Sequence, residues 1–276
     1  MIWRELVKLA LLEDGAAGDP TTESVIGADQ RGVAHIVARA PLVVSGLVAA
    51  KACFRETSRA LTFDAQVDAG ARVEQGQVLA VVSGPLRPLL VAERPALNFL
   101  QRLCGVATWT AKHVALVAGT GCRVADTRKT LPGYRALDKA AVRHGGGVNH
   151  RHHLGDGVLI KDNHVAAAGS VTAAIAAARA RVHHLLKVEC EVDTFEQLDE
   201  ALAAGADCIL VDNMTPDQVA RAVTRVAGRA FLEASGGINL DTLAEYAATG
   251  VDQVALGALT HSAPAADVAL DLVEGL

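Results

Sequence analysis

The sequence has 276 residues, of which 51% are hydrophobic but only five are Phe, two Trp and two Tyr, so aliphatic side chains must form almost all of the core. This apolar content excludes a disordered chain, and the length allows one large domain or two modest ones. The 26 basic and 31 acidic residues give a net charge of −5, which excludes a global basic field for nucleic acid or an anionic membrane. An anionic ligand would therefore need a local concentration of Lys and Arg.

The N-terminal segment and the cysteines both indicate a soluble cytoplasmic protein. Residues Met1–Leu12 place charges among apolar positions at the spacing of an amphipathic helix, unlike a secretory signal. The most apolar stretch, Pro41–Ala50, is too short to cross a bilayer. The cysteines lie far apart without a C-x-x-C pair, so we expect reduced core residues and neither disulfides nor a zinc framework. They are Cys53, Cys104, Cys122, Cys190 and Cys208.

The next segments predict a small α/β domain. Strands are expected over Val33–Arg39 and Leu42–Ser45, and a helix over Leu47–Ala60. Residues Asp68–Gly84 carry the G-x-x-V-x-x-G-x-x-L spacing of tight antiparallel hairpins, which also occurs in lipoyl and biotinyl carrier domains. The turn lacks the lysine that a carrier domain needs, so we interpret it as structural. A long helix over Pro95–Val117, with its proline near the first turn, is predicted to link the two halves.

From residue 122 onward, short aliphatic strands alternate with alanine-rich helices. The predicted strands are Cys122–Asp126, Gly157–Lys161, Leu185–Val192, Cys208–Asp212, Ala230–Glu233 and Gln253–Leu256. The predicted helices are Leu137–His144, Val171–Arg181, Thr194–Ala204, Pro216–Val226, Leu240–Ala248 and Ala265–Val273. Successive strands after the first unit start about 25 residues apart, close to the minimum for a βα unit. This spacing favours parallel strands with right-handed crossovers.

Two parallel architectures fit this alternation. A doubly wound open sheet should carry a dinucleotide fingerprint after its first strand, and no G-x-G-x-x-G occurs in the sequence. We therefore predict an α/β protein with an incomplete parallel β/α barrel of six to seven strands and TIM-like topology over residues 116–276. Residues 1–115 are predicted to form a separate N-terminal α/β domain.

All the predicted barrel strands end in polar residues or glycine, and in such a barrel those ends form one rim, where the chemistry takes place. One polar strand end alone is more often a solvated loop residue, but the coincidence on six strands favours an active site. The rim residues are Asp126, Thr127, Arg128, Lys129, His150, Arg151, Lys161, Asp162, Asn163, His164, Glu189, Glu191, Asp212, Asn213, Glu233, Ser235, Gly236, Gly237, Gly257 and Ala258.

The rim charges are sorted by sign along the chain. Five cationic groups come from the first two strands, whereas Glu191 and Asp212 come from the next two. Burying the cations together would be unfavourable by roughly several kcal/mol without an anionic ligand, so the pattern predicts a polyanionic substrate. Arginine forks suit carboxylates or phosphates, and the acidic pair suits Mg²⁺ or sugar hydroxyls. The five cationic residues are Arg128, Lys129, His150, Arg151 and Lys161.

Glycine-containing turns follow the last two predicted strands. Ser235-Gly236-Gly237 and Gly257-Ala258 each open a helix, at the place where phosphate sites of barrels commonly lie. Either loop alone is compatible with a simple turn. Together they indicate a sugar phosphate.

Seven motifs extend this pattern over nearly the whole chain. They are EDGAAGDPTT (Glu13–Thr22), AERPALNFLQRLCGVAT (Ala92–Thr108), DTRKTLPGYRALDKAAVRHGGGVNHRHHLGDGVLIKDNH (Asp126–His164), ECEVD (Glu189–Asp193), LVDN (Leu210–Asn213), EASGGI (Glu233–Ile238) and GALTHS (Gly257–Ser262). With these motifs the chain resembles the quinolinate phosphoribosyltransferases, which are the carboxylating nicotinate-nucleotide pyrophosphorylases of de novo NAD synthesis. The motifs are long and specific.

The resemblance implies a reaction, a fold and an assembly. Quinolinate and phosphoribosyl pyrophosphate, with Mg²⁺, would give nicotinate mononucleotide, pyrophosphate and CO₂. The fold would be an N-terminal α/β open sandwich over residues 1–115 on an incomplete barrel, with the last helix packing back on the N-terminal domain. The assembly would be a homodimer in which each barrel mouth faces the partner's N-terminal domain. Association of dimers into a higher oligomer is an alternative that the resemblance does not decide.

The resemblance also assigns roles to residues. Arg94 would bind a quinolinate carboxylate in the neighbouring site, and Arg128, His150 and Arg151 would hold the dicarboxylate. Lys129 and Lys161 would act beside the substrate carboxylate and the pyrophosphate, and Glu191 and Asp212 would serve the ribose hydroxyls and Mg²⁺, directly or through water. Of the two neighbouring glutamates, the motif favours Glu191 over Glu189. The remaining substrate-binding positions are Thr127, Ser235, Gly236, Gly237, Gly257, Ala258 and His261, with the 5′-phosphate at the Ser235 and Gly257 loops.

This sequence departs from the family pattern in one loop. Where the family usually reads N-H-R-x-G-L, His152-His153-Leu154 follows Arg151, so the loop that carries Arg151 could shift. The histidines also allow a second interpretation, a metal cluster, which their spacing does not support. Its members would be His144, His150, His152 and His153.

Two functional alternatives are open. One is a related barrel found with molybdate transport systems, and the other is a non-catalytic barrel that binds a nucleotide. The intact run Ile160–His164 counts against the first, and the presence of all four of Lys129, Lys161, Glu191 and Asp212 counts against the second.

Overall fold

A computed structural model describes residues 2–15 and 18–275 and groups them into two compact units. The first unit comprises the described parts of Met1–Ala111 and Leu259–Leu276 together with Thr130–Gly146, and the second comprises Lys112–Lys129 and Gly147–Ala258. Met1, the first residue of the predicted N-terminal helix, and Ala16 and Ala17 of the first motif lie outside the described residues. The predicted boundary near residue 115 stays a prediction.

The first unit combines five helices, and most of the short helix Ala258–His261, with antiparallel strands. Its helices are α1 Ile2–Glu13, α2 Pro20–Val25, α3 Leu47–Thr57, the start of α4 Leu86–Leu116, and α5 Arg135–His144. Its strands are β1 Arg31–Ala38, β2 Leu42–Val43, β3 Thr62–Ala65, β4 Arg72–Val73, β5 Val78–Pro85 and β12 Val268–Gly275. Strands β12-β1-β5-β3 form one sheet and β2-β4 a second. The N-terminal helix is therefore confirmed.

Three local predictions in this unit were wrong: those for the C-terminal segment, for the hairpin within Asp68–Gly84 and for the start of the long helix. The C-terminal segment, predicted as a helix over Ala265–Val273, is the strand β12, because it pairs along the whole of β1 from Ala38↔Val268 to Gly32↔Gly275. The expected hairpin within Asp68–Gly84 forms only its turn, with the Gln77 N–H donating to the Glu74 carbonyl oxygen at 3.2 Å. Its two strands pair elsewhere, β4 with β2 and β5 with β1 and β3.

Helix α4 starts nine residues before its predicted first residue, so Pro95 lies inside the helix and not near its first turn. Proline lacks the N–H that the fourth preceding carbonyl would accept and usually costs about 3 kcal/mol in a helix interior. The surrounding apolar side chains compensate, since Leu89, Ala92, Ala96, Phe99 and Leu100 are all buried. Tertiary packing thus overrides the local signal.

The second unit is a parallel sheet whose strands alternate with helices. Its strands are β6 Arg123–Ala125, β7 Val158–Ile160, β8 Val188–Val192, β9 Cys208–Asp212, β10 Phe231–Ser235 and β11 Gln253–Ala255. Its helices are α6 Asp162–Ala168, α7 Val171–Arg179, α8 Phe195–Ala203, α9 Pro216–Val226, α10 Leu243–Ala248 and the first residue of α11 Ala258–His261.

The strand order β6-β11-β10-β9-β8-β7 is that of a barrel left open between its first two strands. Every described pairing in this sheet is parallel, and the last strand returns to pair with the first through Val254↔Val124. A single parallel bridge, Ala125↔Val148, adds a seventh short segment at the open side of β6. The predicted fold, an α/β protein with an incomplete six- to seven-stranded β/α barrel and a separate N-terminal domain, is confirmed.

Helices α7, α8 and α9 begin within one residue of their predicted first residues. The hydroxyl oxygens of Ser170, Thr194 and Thr215 accept backbone N–H groups at the first turns of α7, α8 and α9. Helix α10 begins at Leu243 and not at the predicted Leu240, because Asn239 accepts the N–H groups of Asp241 and Thr242 in a local turn. Within the described residues, no helix combines the length and apolar character that crossing a bilayer requires.

Candidate active site

The carboxyl ends of the barrel strands enclose a cavity of about 260 Å³ in the second unit. Alternate residues of a strand point to the same side, so a strand can contribute two lining side chains that are two positions apart in sequence. The lining residues are Thr127, Arg128, Lys129, His150, Arg151, Leu159, Lys161, Glu191, Leu210, Asp212, Glu233, Ser235 and Ala255. Nine of these thirteen lining residues are predicted site residues, and the other four are Leu159, Leu210, Glu233 and Ala255.

Asp126, the residue after β6, fixes the segment that carries His150 and Arg151. Its side chain is fully buried, and its two oxygens accept the His150 N–H at 2.9 Å and the Asn149 side-chain amide at 2.6 Å. A buried carboxylate must be hydrogen-bonded, and these donors satisfy it. The backbone of the His150 segment is therefore tied to the end of the first strand.

Two guanidinium groups meet in the cavity. The Nε of Arg128 is buried and makes no hydrogen bond to any residue that the structure describes. Arg151 donates from Nη1 to the Gly157 carbonyl oxygen at 3.0 Å, and burial together with the neighbouring Arg128 lowers the pKa of its guanidinium. Two like charges in a partly buried site are unfavourable unless an anion joins them. This part of the cavity is suited to a carboxylate or phosphate.

Acidic residues on β8 and β9 also line the cavity. Lys161 forms a short ion pair with Glu191, and Asp212 accepts the Asn213 side-chain amide at 2.7 Å. Asn213 has the left-handed backbone angle φ 55°, which makes room for its amide beside the strand end. Carboxylate oxygens from Glu191 and Asp212 are the ligand type that Mg²⁺ takes, so these two residues fit a magnesium site.

At the cavity wall, His150 contacts two glutamates that the sequence placed on the rim without a role. Its Nε2 lies 3.2 Å from Glu189 Oε2 and 3.6 Å from Glu233 Oε1. Glu189 and Glu191 project to the same side of β8, with the buried Cys190 between them on the other side. Glu191 lines the cavity, whereas Glu189 contacts the His150 ring.

The three groups His150, Glu189 and Glu233 are close enough to hold a metal ion. The hydrogen bonding argues against this use, because His150 Nδ1 accepts the Arg151 N–H at 2.7 Å and therefore carries no proton. The proton of the neutral ring is then on Nε2, the atom that faces the glutamates. A metal-bound histidine has the opposite arrangement, with the proton on the nitrogen away from the metal.

Asp156 holds the loop in which His153 stands where the family usually has glycine. One oxygen of Asp156 accepts the N–H groups of His152 at 2.8 Å and His153 at 3.1 Å, and the other meets His153 Nδ1 at 2.6 Å. His144, by contrast, lies in the first unit, where its Nδ1 is 2.9 Å from Ser45 Oγ. The histidines therefore serve separate local contacts.

The Ser235-Gly236-Gly237 turn requires glycine at its centre. Gly236 has φ 89°, and a Cβ there would come within 2.3 Å of Asn213 Oδ1 and 2.7 Å of Asn213 N. The Asn213 N–H also donates to the Ser235 carbonyl oxygen at 3.0 Å. The turns after β9 and β10 thus pack on each other, and Ser235 lines the cavity.

Six predicted site residues are not part of this lining, as far as the described residues define it. Gly236, Gly237 and Gly257 lie in the turns that follow β10 and β11, and Ala258 starts α11; all four belong to the second unit. Arg94, exposed on α4, and His261, exposed next to Ser262, belong to the first unit. Glu189 and Glu233 were both placed on the rim by the sequence without a role, and what the sequence missed is their contact with His150. Their two-residue spacing to Glu191 and to Ser235 was the signal that they share the inward side of their strands.

Comparison with known proteins identifies the family. The sequence profiles of the quinolinate phosphoribosyl transferase N-terminal and C-terminal domains match residues 19–104 and 106–271. A nicotinate-nucleotide pyrophosphorylase [carboxylating] of Mycobacterium leprae is 46% identical, over 98% of this chain and 96% of its own length. A probable enzyme of the same name from Bacillus subtilis is 41% identical, over 98% and 93%. The solved nicotinate-nucleotide pyrophosphorylase of Francisella tularensis is 35% identical and superposes with a TM-score of 0.94 over 98% of this chain and 96% of that one. The chain belongs to the quinolinate phosphoribosyltransferase family.

Proposed function

We propose that this protein transfers the phosphoribosyl group of phosphoribosyl pyrophosphate to quinolinate, with decarboxylation, to give nicotinate mononucleotide, pyrophosphate and CO₂. The observation that carries the proposal is the pair Arg128 and Arg151, two neighbouring guanidinium groups in a partly buried cavity, one with a buried Nε that lacks a described partner. The family and its relatives support the same substrates. The comparisons above give no support to the molybdate-associated or non-catalytic alternatives.

The dicarboxylate end of the substrate is assigned to the arginine side of the cavity. Arg128 and Arg151 can each bind a carboxylate through two N–H groups, which fixes the plane of the pyridine ring. Thr127 and His150 line the same side, and His150 stays a proposed contact although both its nitrogens are already engaged. Binding of the anion relieves the repulsion between the guanidinium groups.

The ribose and the pyrophosphate are assigned to the opposite side. Glu191 and Asp212 would face the ribose hydroxyls and hold Mg²⁺, and Lys129 and Lys161 would face the pyrophosphate and the reacting carboxylate. When bound, Mg²⁺ supplies positive charge to the departing pyrophosphate. The ion pair of Lys161 with Glu191 keeps the lysine ammonium beside the carboxylate that faces the sugar. The loops of Ser235, Gly236 and Gly237 and of Gly257 and Ala258, with His261, would take the 5′-phosphate.

The chemistry needs positioned charges more than a nucleophile. Breaking the bond between C1 and the pyrophosphate develops positive charge on the ribose, which carboxylates stabilise. The pyridine nitrogen forms the new bond, and its positive charge then stabilises the carbanion that loss of CO₂ leaves at C2. Holding the two substrates in line accounts for much of the rate in such reactions. We therefore propose no covalent intermediate with the enzyme.

The proposal includes the assembly and the compartment. We propose a homodimer in which Arg94 binds a quinolinate carboxylate in the neighbouring subunit, and its exposure on α4 supports this role. We also propose a cytoplasmic location. All five cysteines are free thiols, four of them buried, which supports a reducing compartment.

One experiment tests the activity directly. The purified protein is incubated with quinolinate, phosphoribosyl pyrophosphate and Mg²⁺, and nicotinate mononucleotide and CO₂ are measured. The proposal predicts both products in equal amounts. The variants Glu191→Gln and Asp212→Asn should need more Mg²⁺ for half-maximal rate, whereas Glu245→Gln, an exposed residue of α10, should not. Absence of product at high enzyme concentration would refute the activity.

A further inference from the structure

Glu233 is the most enclosed charged group in the cavity wall. Its residue is 1% exposed. Oε2 accepts the Gln253 side-chain amide at 2.5 Å, whereas Oε1 makes no hydrogen bond to any described residue. A buried carboxylate oxygen without a donor is costly in its ionised form.

Groups from several elements face this carboxyl. Glu189 on β8 adds a second negative charge, and Cys208 on β9 contributes a thiol. Gln253 on β11 and Arg123 on β6 favour the ionised form, as His150 would if its ring were doubly protonated. Burial, followed by the charge of Glu189, outweighs them and raises the pKa of Glu233 to about 7. A small change in the local field can therefore change its protonation near neutrality.

The hydrogen-bond geometry indicates that a proton added to the group of His150, Glu189 and Glu233 resides on Glu233. His150 Nδ1 accepts the Arg151 N–H, so a doubly protonated ring would set two N–H groups against each other. The single ring proton on Nε2 is directed to Glu189 at 3.2 Å, which is closer than Glu233 at 3.6 Å. This donor therefore serves Glu189. Glu233 Oε1, which lacks one, is the site where another proton is most stabilising.

We propose that Glu233 is protonated when a pyridine dicarboxylate occupies the cavity, so that the pocket binds its dianionic ligand together with one proton from solvent. The inference rests on the proposed function and assigns to Glu233 the control of affinity for that substrate. The physical reason is proximity, because Glu233 and the arginines line the same small cavity and a third negative charge beside two carboxylates is unfavourable. The carboxylate takes up the proton and becomes a neutral carboxylic acid.

The sign of the pH dependence follows from linkage. Below about pH 7 the carboxyl is already neutral in the free protein, so binding takes up no proton. Above that pH the group is ionised, binding takes up about one proton, and affinity falls by up to about tenfold per pH unit. Removing the charge permanently should therefore strengthen binding at high pH, an effect that simple structural damage does not produce.

Calorimetry with quinolinate alone tests this proposal on the full-length protein. Binding is measured near pH 6 and near pH 8, each in two buffers of different ionisation enthalpy, which gives the number of protons taken up. The wild type should take up about one proton near pH 8 and few near pH 6. Glu233→Gln, which keeps the size and can still pair with Gln253, should take up none and should bind about tenfold more tightly than the wild type near pH 8. Glu245→Gln should match the wild type.

The possible outcomes separate this inference from the proposed function. If the wild type binds quinolinate without proton uptake, or if Glu233→Gln keeps the wild-type uptake, the role of Glu233 is refuted while the activity stands. Weaker binding of Glu233→Gln at both pH values, with the pH dependence unchanged, would also refute it. Failure of the wild type to bind quinolinate, while it binds phosphoribosyl pyrophosphate with Mg²⁺, would instead refute the assigned substrate.

Discussion

Replacement of Arg151 by Ala tests the division of the cavity into a dicarboxylate side and a phosphoribosyl side. The guanidinium is half-buried, lies beside Arg128 and has its backbone held through Asp126 and His150. Truncating one member of a buried charge pair typically costs about 2–5 kcal/mol, and solvent screening of this half-buried group places the loss near the lower end. A loss of about 2 kcal/mol corresponds to about thirtyfold weaker quinolinate binding.

The assay compares two Michaelis constants in the same preparation. The KM for quinolinate should rise by about thirtyfold, and the KM for phosphoribosyl pyrophosphate should change by less than about threefold. Arg181→Ala, an exposed arginine of the same unit, is the matched control and should leave both constants unchanged. Arg151→Lys should recover only part of the loss, since lysine keeps the charge but not the fork. Equal losses for both substrates would contradict the assignment of Arg151 to the dicarboxylate.

Three further predictions follow from single contacts. Arg94→Ala and Lys129→Ala should each be inactive, yet a mixture that exchanges subunits should regain activity, and a mixture that stays inactive would exclude action of Arg94 in the neighbouring site. Gly236→Ala should raise the KM for phosphoribosyl pyrophosphate at least about tenfold, because φ 89° and the 2.3 Å approach to Asn213 displace the turn. Gly169→Ala, with φ 92° and open space around its Cβ position, is its control and should lower stability only. Asp156→Ala should raise the KM for quinolinate a few-fold by releasing the N–H groups of His152 and His153, and an unchanged KM would show that this loop does not place Arg151.

The barrel half was predictable because its signals are local. Each βα unit carries its own short apolar strand, its own helix start and its own polar strand end, so the periodicity alone locates the rim. Side-chain alternation then selects the inward positions, as at Leu210 and Asp212 or at Glu233 and Ser235. The same rule places Glu233, a predicted rim residue, two positions before Ser235 on the inward side of β10.

The N-terminal half was less predictable because its pairings are distant in sequence. Strand β1 lies between β5 and β12, and the β12 partner comes more than 200 residues later in the chain. The sequence VALDLVEG suits a helix as well as a strand, and only the open edge of β1 decides between them. Local propensity was overridden in the same way at Pro95, where burial of the flanking residues holds α4 together.

The charge of the site also depends on contacts that composition does not reveal. The net charge of −5 gave no sign of an anion site, and the run of cations on the first two strands overstates its positive potential, because Lys161 is paired with Glu191 and His150 faces two glutamates. The guanidinium groups of Arg128 and Arg151 line the same cavity as the Glu233 carboxyl, whose pKa burial raises to about 7. Two fixed cations and one group of variable charge make the affinity for a dianion sensitive to pH, while the ion pair on the opposite side keeps carboxylates available for the sugar. The protonation of Glu233 is therefore the property of the site that the sequence could not supply.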